Sequence, residues 1–179
     1  MLITLRDLAA EEDRVARLIA TAPADLEARD RALARSGVYR YYEAIFGAYR
    51  ALADSSRASE PVQAEALRRA VFLAWYACVA PPQLSGLAEF SDDQLEDAFR
   101  SAAWALENGE LDPELAWMLA WYFREAPVVF TRLPGLARLV AYCRAQPPEG
   151  WRTAGLTPER LGRRGALGRY WLGVLARDG

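Results

Sequence analysis

The chain has 179 residues, 53% hydrophobic and 26% charged, with a formal net charge of −2, a composition that fits one globular domain of ordinary size and excludes intrinsic disorder. It contains no histidine and no lysine; all 22 basic residues are arginine. That removes imidazole acid–base catalysis and imidazole-ligated zinc or haem, and equally Schiff-base chemistry and a phosphate-binding loop lysine.

Alanine and leucine dominate, β-branched residues are few, and a 3.6-residue periodicity recurs, so the sequence predicts an all-α fold. The first helix is expected from about Arg6 to Ala20, with Leu8, Val15 and Ile19 on one side. A second starts near Pro23 and carries Asp25–Arg29 and Glu27–Arg31 in the stabilising acid-before-base order. The third, Val38 to Asp54, places Val38, Tyr41, Tyr42, Ile45, Tyr49 and Leu52 on a core stripe and Tyr39 outward. Val62 to Ala80 is polar in its outer turns but apolar all round from Ala70, which suits the centre of a bundle. Its longest uncharged run is broken by Pro81-Pro82, short of the roughly 20 apolar residues a membrane span needs.

Ser91 and Gln94 form a capping box for the next helix, which closes at Asn108-Gly109. Asp112-Pro113 opens another, apolar nearly all round, that Pro127 ends. Pro134 to Ala145, a short turn at Thr157-Pro158, and Ala166 to Arg177 complete the series. The expectation is therefore a single-domain bundle of seven or eight helices arranged as hairpins, with Ala70–Ala80 and Leu115–Phe123 at its centre. Ala70, Leu73-Ala74-Trp75-Tyr76 and Ala80-Pro81 recur 46 residues later as Ala116, Leu119-Ala120-Trp121-Tyr122 and Ala126-Pro127. That period lies in the range of HEAT-like helix pairs, the alternative architecture. Similar packing demands on two central helices would give the same likeness.

Asp92-Asp93-Gln94-Leu95-Glu96 resembles the DDxxE carboxylate cluster by which all-α prenyl and terpene synthases hold magnesium. The resemblance is confined to five residues with no second carboxylate motif, and acidic residues in a first helical turn complement the helix dipole without any metal. No cofactor and no metal site is expected. Cys78 and Cys143, 65 residues apart in apolar helical patterns, read as buried free thiols.

Two surfaces remain. Leu95, Phe99, Ala102 and Leu106 form the buried stripe of the Asp92 helix, which turns Trp104 to the opposite side, in line with Asp93 and Asp97 and flanked by Arg100 and Glu107. Glu89 to Glu114 holds nine carboxylates and one arginine. A tryptophan among carboxylates suits a protein-binding hot spot. Tryptophans are generally largely buried, which favours the competing arrangement, Trp104 covered by a neighbouring helix or by the arginine-rich C-terminal part.

The second surface is arginine-rich: residues 1–123 carry a net charge of −8 and residues 124–179 a net +6, densest at Arg152, Arg160, Arg163, Arg164 and Arg169 with glycines between. Arginine forks bind carboxylate or phosphate bidentately, so these five form a candidate anion site. The opposite charges of the two regions favour an internal role instead, arginines fastening an arginine-rich C-terminal part onto an acidic main bundle. The modest net charge disfavours nucleic acid.

With no catalytic residues in sight, the expected function is a non-catalytic, cytoplasmic protein-interaction module for a basic partner, such as an immunity-type neutraliser or a scaffold. The alternative is a small all-α enzyme or ligand-binding protein with an arginine- and aromatic-lined site for a phosphate-bearing ligand. The opening residues reach acidic side chains too early for a signal peptide, and no membrane association is expected.

Overall fold

Alanine- and leucine-rich segments bounded by polar caps form helices throughout the computed structural model, which describes residues 3–147 and 156–178. In chain order they are α1 (Leu5–Ala20), α2 (Leu26–Arg35), α3 (Val38–Ala53), α4 (Glu60–Val79), α5 (Pro82–Ser85), α6 (Asp92–Glu107), α7 (Pro113–Glu125), α8 (Pro127–Thr131), α9 (Ala137–Ala145), α10 (Pro158–Leu161) and α11 (Gly165–Asp178). The described residues contain no strand.

Eleven helices among the described residues correct the expected bundle of seven or eight. The unexpected ones are the short helices α5 and α8, which, like the expected turn that forms α10, begin at a proline. Proline ends a helix because it lacks an N–H, but its fixed φ also suits the first turn of the next one. Pro81-Pro82 and Pro127 read in the sequence only as stops; in the structure each also begins a helical turn. None of the helices is long and apolar enough to cross a membrane among the described residues.

Local signals set the longer elements. Thr4 and Asp7 make a capping box at α1, Asp25 accepts from the Ala28 amide at α2, and Asp112 accepts from the Leu115 amide at α7. Asp25 is thus a cap rather than the ion-pair partner of Arg29, whose guanidinium donates to the Pro23 and Ile19 carbonyls. Glu27 and Arg31 do pair.

Contacts divide the chain into two compact units, Met1–Phe90 with Pro158–Gly179, and Ser91–Thr157. The charge boundary between residues 123 and 124 lies inside α7, so composition and packing divide the chain at different places. In the first unit α4 packs on α3 and α11, and α1 packs on α3 and α11. Phe72, Trp75, Tyr76 and Tyr170 form an aromatic cluster there, with Phe72–Tyr76 centroids 5.1 Å apart and Trp75–Tyr170 5.3 Å. In the second unit α7 packs on α8 and α9, with Phe130 set against Phe99 at 4.9 Å and Phe123 at 5.6 Å. The helical parts of the two similar stretches fall on α4 and α7, where Ala70, Leu73, Ala74 and Trp75 are buried in the one and Leu119, Ala120 and Tyr122 in the other, while Trp121 is half-buried.

Tyr42 is buried, as its helical phase requires, but Tyr41 is exposed and lies under the Arg14 guanidinium at 4.6 Å. Its neighbour in sequence, Tyr39, is half-buried and donates to Asp30 at 2.6 Å. The α3 stripe is therefore narrower than the periodicity suggested. Cys143 is buried and Cys78 half-buried, and neither forms a disulfide.

Candidate functional site

The phase of α6 is fixed at its first turn. Ser91 Oγ accepts from the Gln94 amide, and Gln94 Oε1 accepts from the Ser91 amide at 2.9 Å. Leu95, Ala98, Phe99 and Ala102 then turn inward and are fully buried. The opposite face carries Asp93, Asp97, Arg100, Trp104 and Glu107, all exposed. Trp104 is 59% exposed, so no helix among the described residues covers it.

Three carboxylates of this helix, Asp92, Glu96 and Glu107, stand in ion pairs near the surface. Arg100 pairs with Glu96 one turn back, Arg138 approaches Glu107 at 3.6 Å, and Arg132 approaches Asp92 at 3.5 Å. Exposed pairs of this kind contribute about 0–1 kcal/mol and exchange readily for other partners. Among the described residues no group of three or more carboxylate or cysteine side chains is arranged to hold a metal ion.

The arginines do not gather into one constellation. Arg152 lies outside the described residues. Arg160 and Arg163 are exposed. Arg164, only 7% exposed, forks onto Glu65 of α4, Nε to Oε1 at 2.9 Å and Nη2 to Oε2 at 2.5 Å. Arg169 reaches Asp13 of α1 at 2.5 Å. Arg164 and Arg169 thus pair internally, onto α4 and α1, while Arg132 and Arg138 meet α6.

Comparison with known proteins returns no relative: no family model matches the sequence, and no curated protein or solved structure matches it.

Sequence reasoning missed the buried polar groups of the first unit. Glu12 is 1% exposed and accepts the Ala166 amide at 2.6 Å, so its carboxyl caps the start of α11. Tyr49 accepts from Arg69 at 3.1 Å, and Arg69, itself 4% exposed, also donates to Glu65. Burial pushes both Tyr42 and Tyr49 far above the ordinary phenol range, so both remain neutral. One signal was available: residues 8, 12, 15 and 19 share a helix face, which sets Glu12 on the apolar stripe of α1.

Burial raises the Glu12 carboxyl to about 7, against the opposing pull of the Ala166 amide, Arg69 and Arg169. Its proton is held more tightly folded than unfolded, so its stabilisation is complete below about pH 4.5 and is lost as pH rises through about 7. Glu65 is displaced the other way: burial alone would raise it, but Arg164 and Arg69 outweigh burial and hold it below its ordinary value, so it acts only in more acidic solution. Urea unfolding should therefore show a loss on the order of 3 kcal/mol between pH 5 and pH 8. Glu12→Gln keeps an acceptor for the Ala166 amide and should flatten that loss. A parent protein equally stable at both pH values would show that Glu12 ionises without cost.

Proposed function

We propose that the chain is a non-catalytic, cytoplasmic protein-interaction module that docks a basic protein on the outer face of α6, as an immunity-type neutraliser or a scaffold. The observation that carries this reading is the exposed Trp104 in a field of exposed carboxylates. Such an aromatic anchor supplies the desolvated contact that dominates binding energy, while the surrounding charge accelerates encounter with a basic partner. The weak, exposed pairs on Asp92 and Glu107 are easily replaced by a partner's arginines or lysines. A phosphate-bearing ligand shared by Arg160, Arg163, Arg164 and Arg169 is less well supported, because Arg164 is already committed to Glu65.

The test is retention of native cytosolic proteins on the immobilised chain at low and moderate salt, followed by affinity measurements on the protein retained. A single stoichiometric basic protein, released by salt, is expected. Trp104→Ala should weaken its binding about thirtyfold or more while changing the stability of the chain by less than about 0.5 kcal/mol. Reversal of Asp93 and Asp97 to arginine should slow association and reduce its salt dependence. A partner held equally well by the parent and by both variants would remove α6 from the interface.

A further inference from the structure

In the first compact unit, side chains from α1, α3, α4, α5 and α11 line a partly open cavity of about 310 Å³, at the small end of the range for ligand sites. Tyr42, Tyr76 and Tyr170 line it. Two of these rings meet edge to face, Tyr76 and Tyr170, with centroids 5.9 Å apart. Behind them Phe72 stacks on Tyr76 and Trp75 abuts Tyr170, so the aromatic wall is fixed by core packing rather than by loops.

Among the described lining residues Arg169 is the one charged side chain, and no carboxylate lines the cavity. Its guanidinium is steadied by Asp13 and by the Glu12 carbonyl at 3.5 Å, and it hydrogen-bonds Tyr42. The Arg169–Asp13 pair is partly exposed on both sides, a setting in which ion pairs are weakly held and a bound carboxylate can take over at little cost. Ser85 offers little competition, since its hydroxyl donates to the Pro81 carbonyl and accepts the Leu87 amide, both at 3.1 Å.

Apolar and aromatic walls with one guanidinium at the side define a ligand with a flat apolar body and one negative end. The volume admits about a dozen non-hydrogen atoms. We propose that this cavity is a binding site for a small aromatic carboxylate, its ring against Tyr42, Tyr76 and Tyr170 and its carboxylate on Arg169. The site lies on different helices from the α6 face, and neither reading depends on the other.

The experiment uses the full chain and cinnamate as the probe, titrated by calorimetry, with cinnamamide as the neutral isostere and inorganic phosphate as an anion without a ring. Cinnamate should bind saturably and at least about tenfold more tightly than cinnamamide, and phosphate should not displace it. Arg169→Gln should weaken cinnamate about tenfold. Ala20→Trp, at an exposed position on the rim, should abolish binding by filling the mouth while leaving the melting temperature near that of the parent. No saturable binding up to about 10 mM would overturn the proposal. So would equal affinity for cinnamate and cinnamamide, displacement by phosphate, or cinnamate binding that survives Ala20→Trp unchanged.

Discussion

Glu65→Ala is expected to cost the first unit about 3–5 kcal/mol, a large share of the stability of a domain this size. Glu65 receives Arg69 Nε at 2.7 Å, Arg68 Nη1 at 2.8 Å and the fork of Arg164. Arg164 stands 99 residues further along the chain, so this carboxylate joins α4 to the segment that leads into α11. Removing it takes the carboxylate they share from two buried guanidiniums, Arg69 and Arg164. Arg69 keeps Tyr49, more distantly the Leu5 and Arg163 carbonyls, and the electrostatic influence of Glu12.

The loss is a penalty for stranded charge more than a measure of the intact network, and that distinction can be tested. Glu65→Gln, which keeps an acceptor but no charge, should fall between parent and alanine. Glu65→Leu combined with Arg164→Met should recover part of the loss, because apolar replacement of that buried pair removes its desolvation cost along with the attraction, while Arg69 still lacks the Glu65 carboxylate. Arg163→Glu, on an exposed side chain, should be nearly neutral, whereas Arg164→Glu should unfold the unit. Urea denaturation decides. A Glu65→Ala protein within about 1 kcal/mol of the parent would mean the guanidiniums find water or new partners after all.

Those contrasts also locate what the sequence could and could not disclose. Ser91, Gln94 and Asp112 lie within three residues of the groups they cap, so their roles are readable from spacing alone, whereas Asp25 has two local readings, an acid four residues before Arg29 and a cap, and the structure takes the second. The outward direction of Trp104 follows from helical phase in the same way. Its exposure does not, because that depends on whether another element covers it. Arg163 and Arg164 are adjacent and chemically identical, yet one is exposed and the other buried on Glu65. Only a contact spanning 99 residues separates them, and nothing local encodes it. The cavity is invisible for a related reason: its lining comes from five helices distributed over the chain. The short helices α5 and α8 were obscured by ambiguity rather than distance, since the proline that stops one helix is also suited to start another, whereas the turn at Pro158 follows no expected helix it could end and was legible.

Three glycines of α11 should respond to alanine with different signs, although they share one helix. Gly165 opens the helix at φ +57°, and a Cβ there would stand 1.5 Å from Glu12 Oε2. Gly165→Ala must bear left-handed backbone strain of about 1–2 kcal/mol and also push a buried carboxyl away from the Ala166 amide it caps, for a total of about 3 kcal/mol or more. Gly168 has no such freedom to displace a side chain. Its Cβ would stand 1.9 Å from the Leu161 carbonyl oxygen, so α10 itself must move away from α11, a rearrangement costing about 1–3 kcal/mol or more. Gly173 is exposed with nothing within 4 Å of an added Cβ, and there alanine should stabilise by about 0.5–1 kcal/mol through helix propensity and reduced freedom of the unfolded chain. Thermal and urea unfolding of the three variants will show whether α11 is docked as described. If Gly168→Ala were as benign as Gly173→Ala, the close approach of α10 to α11 would be wrong. If Gly165→Ala were benign and the pH dependence between 5 and 8 persisted, Glu12 would be buried without capping the helix.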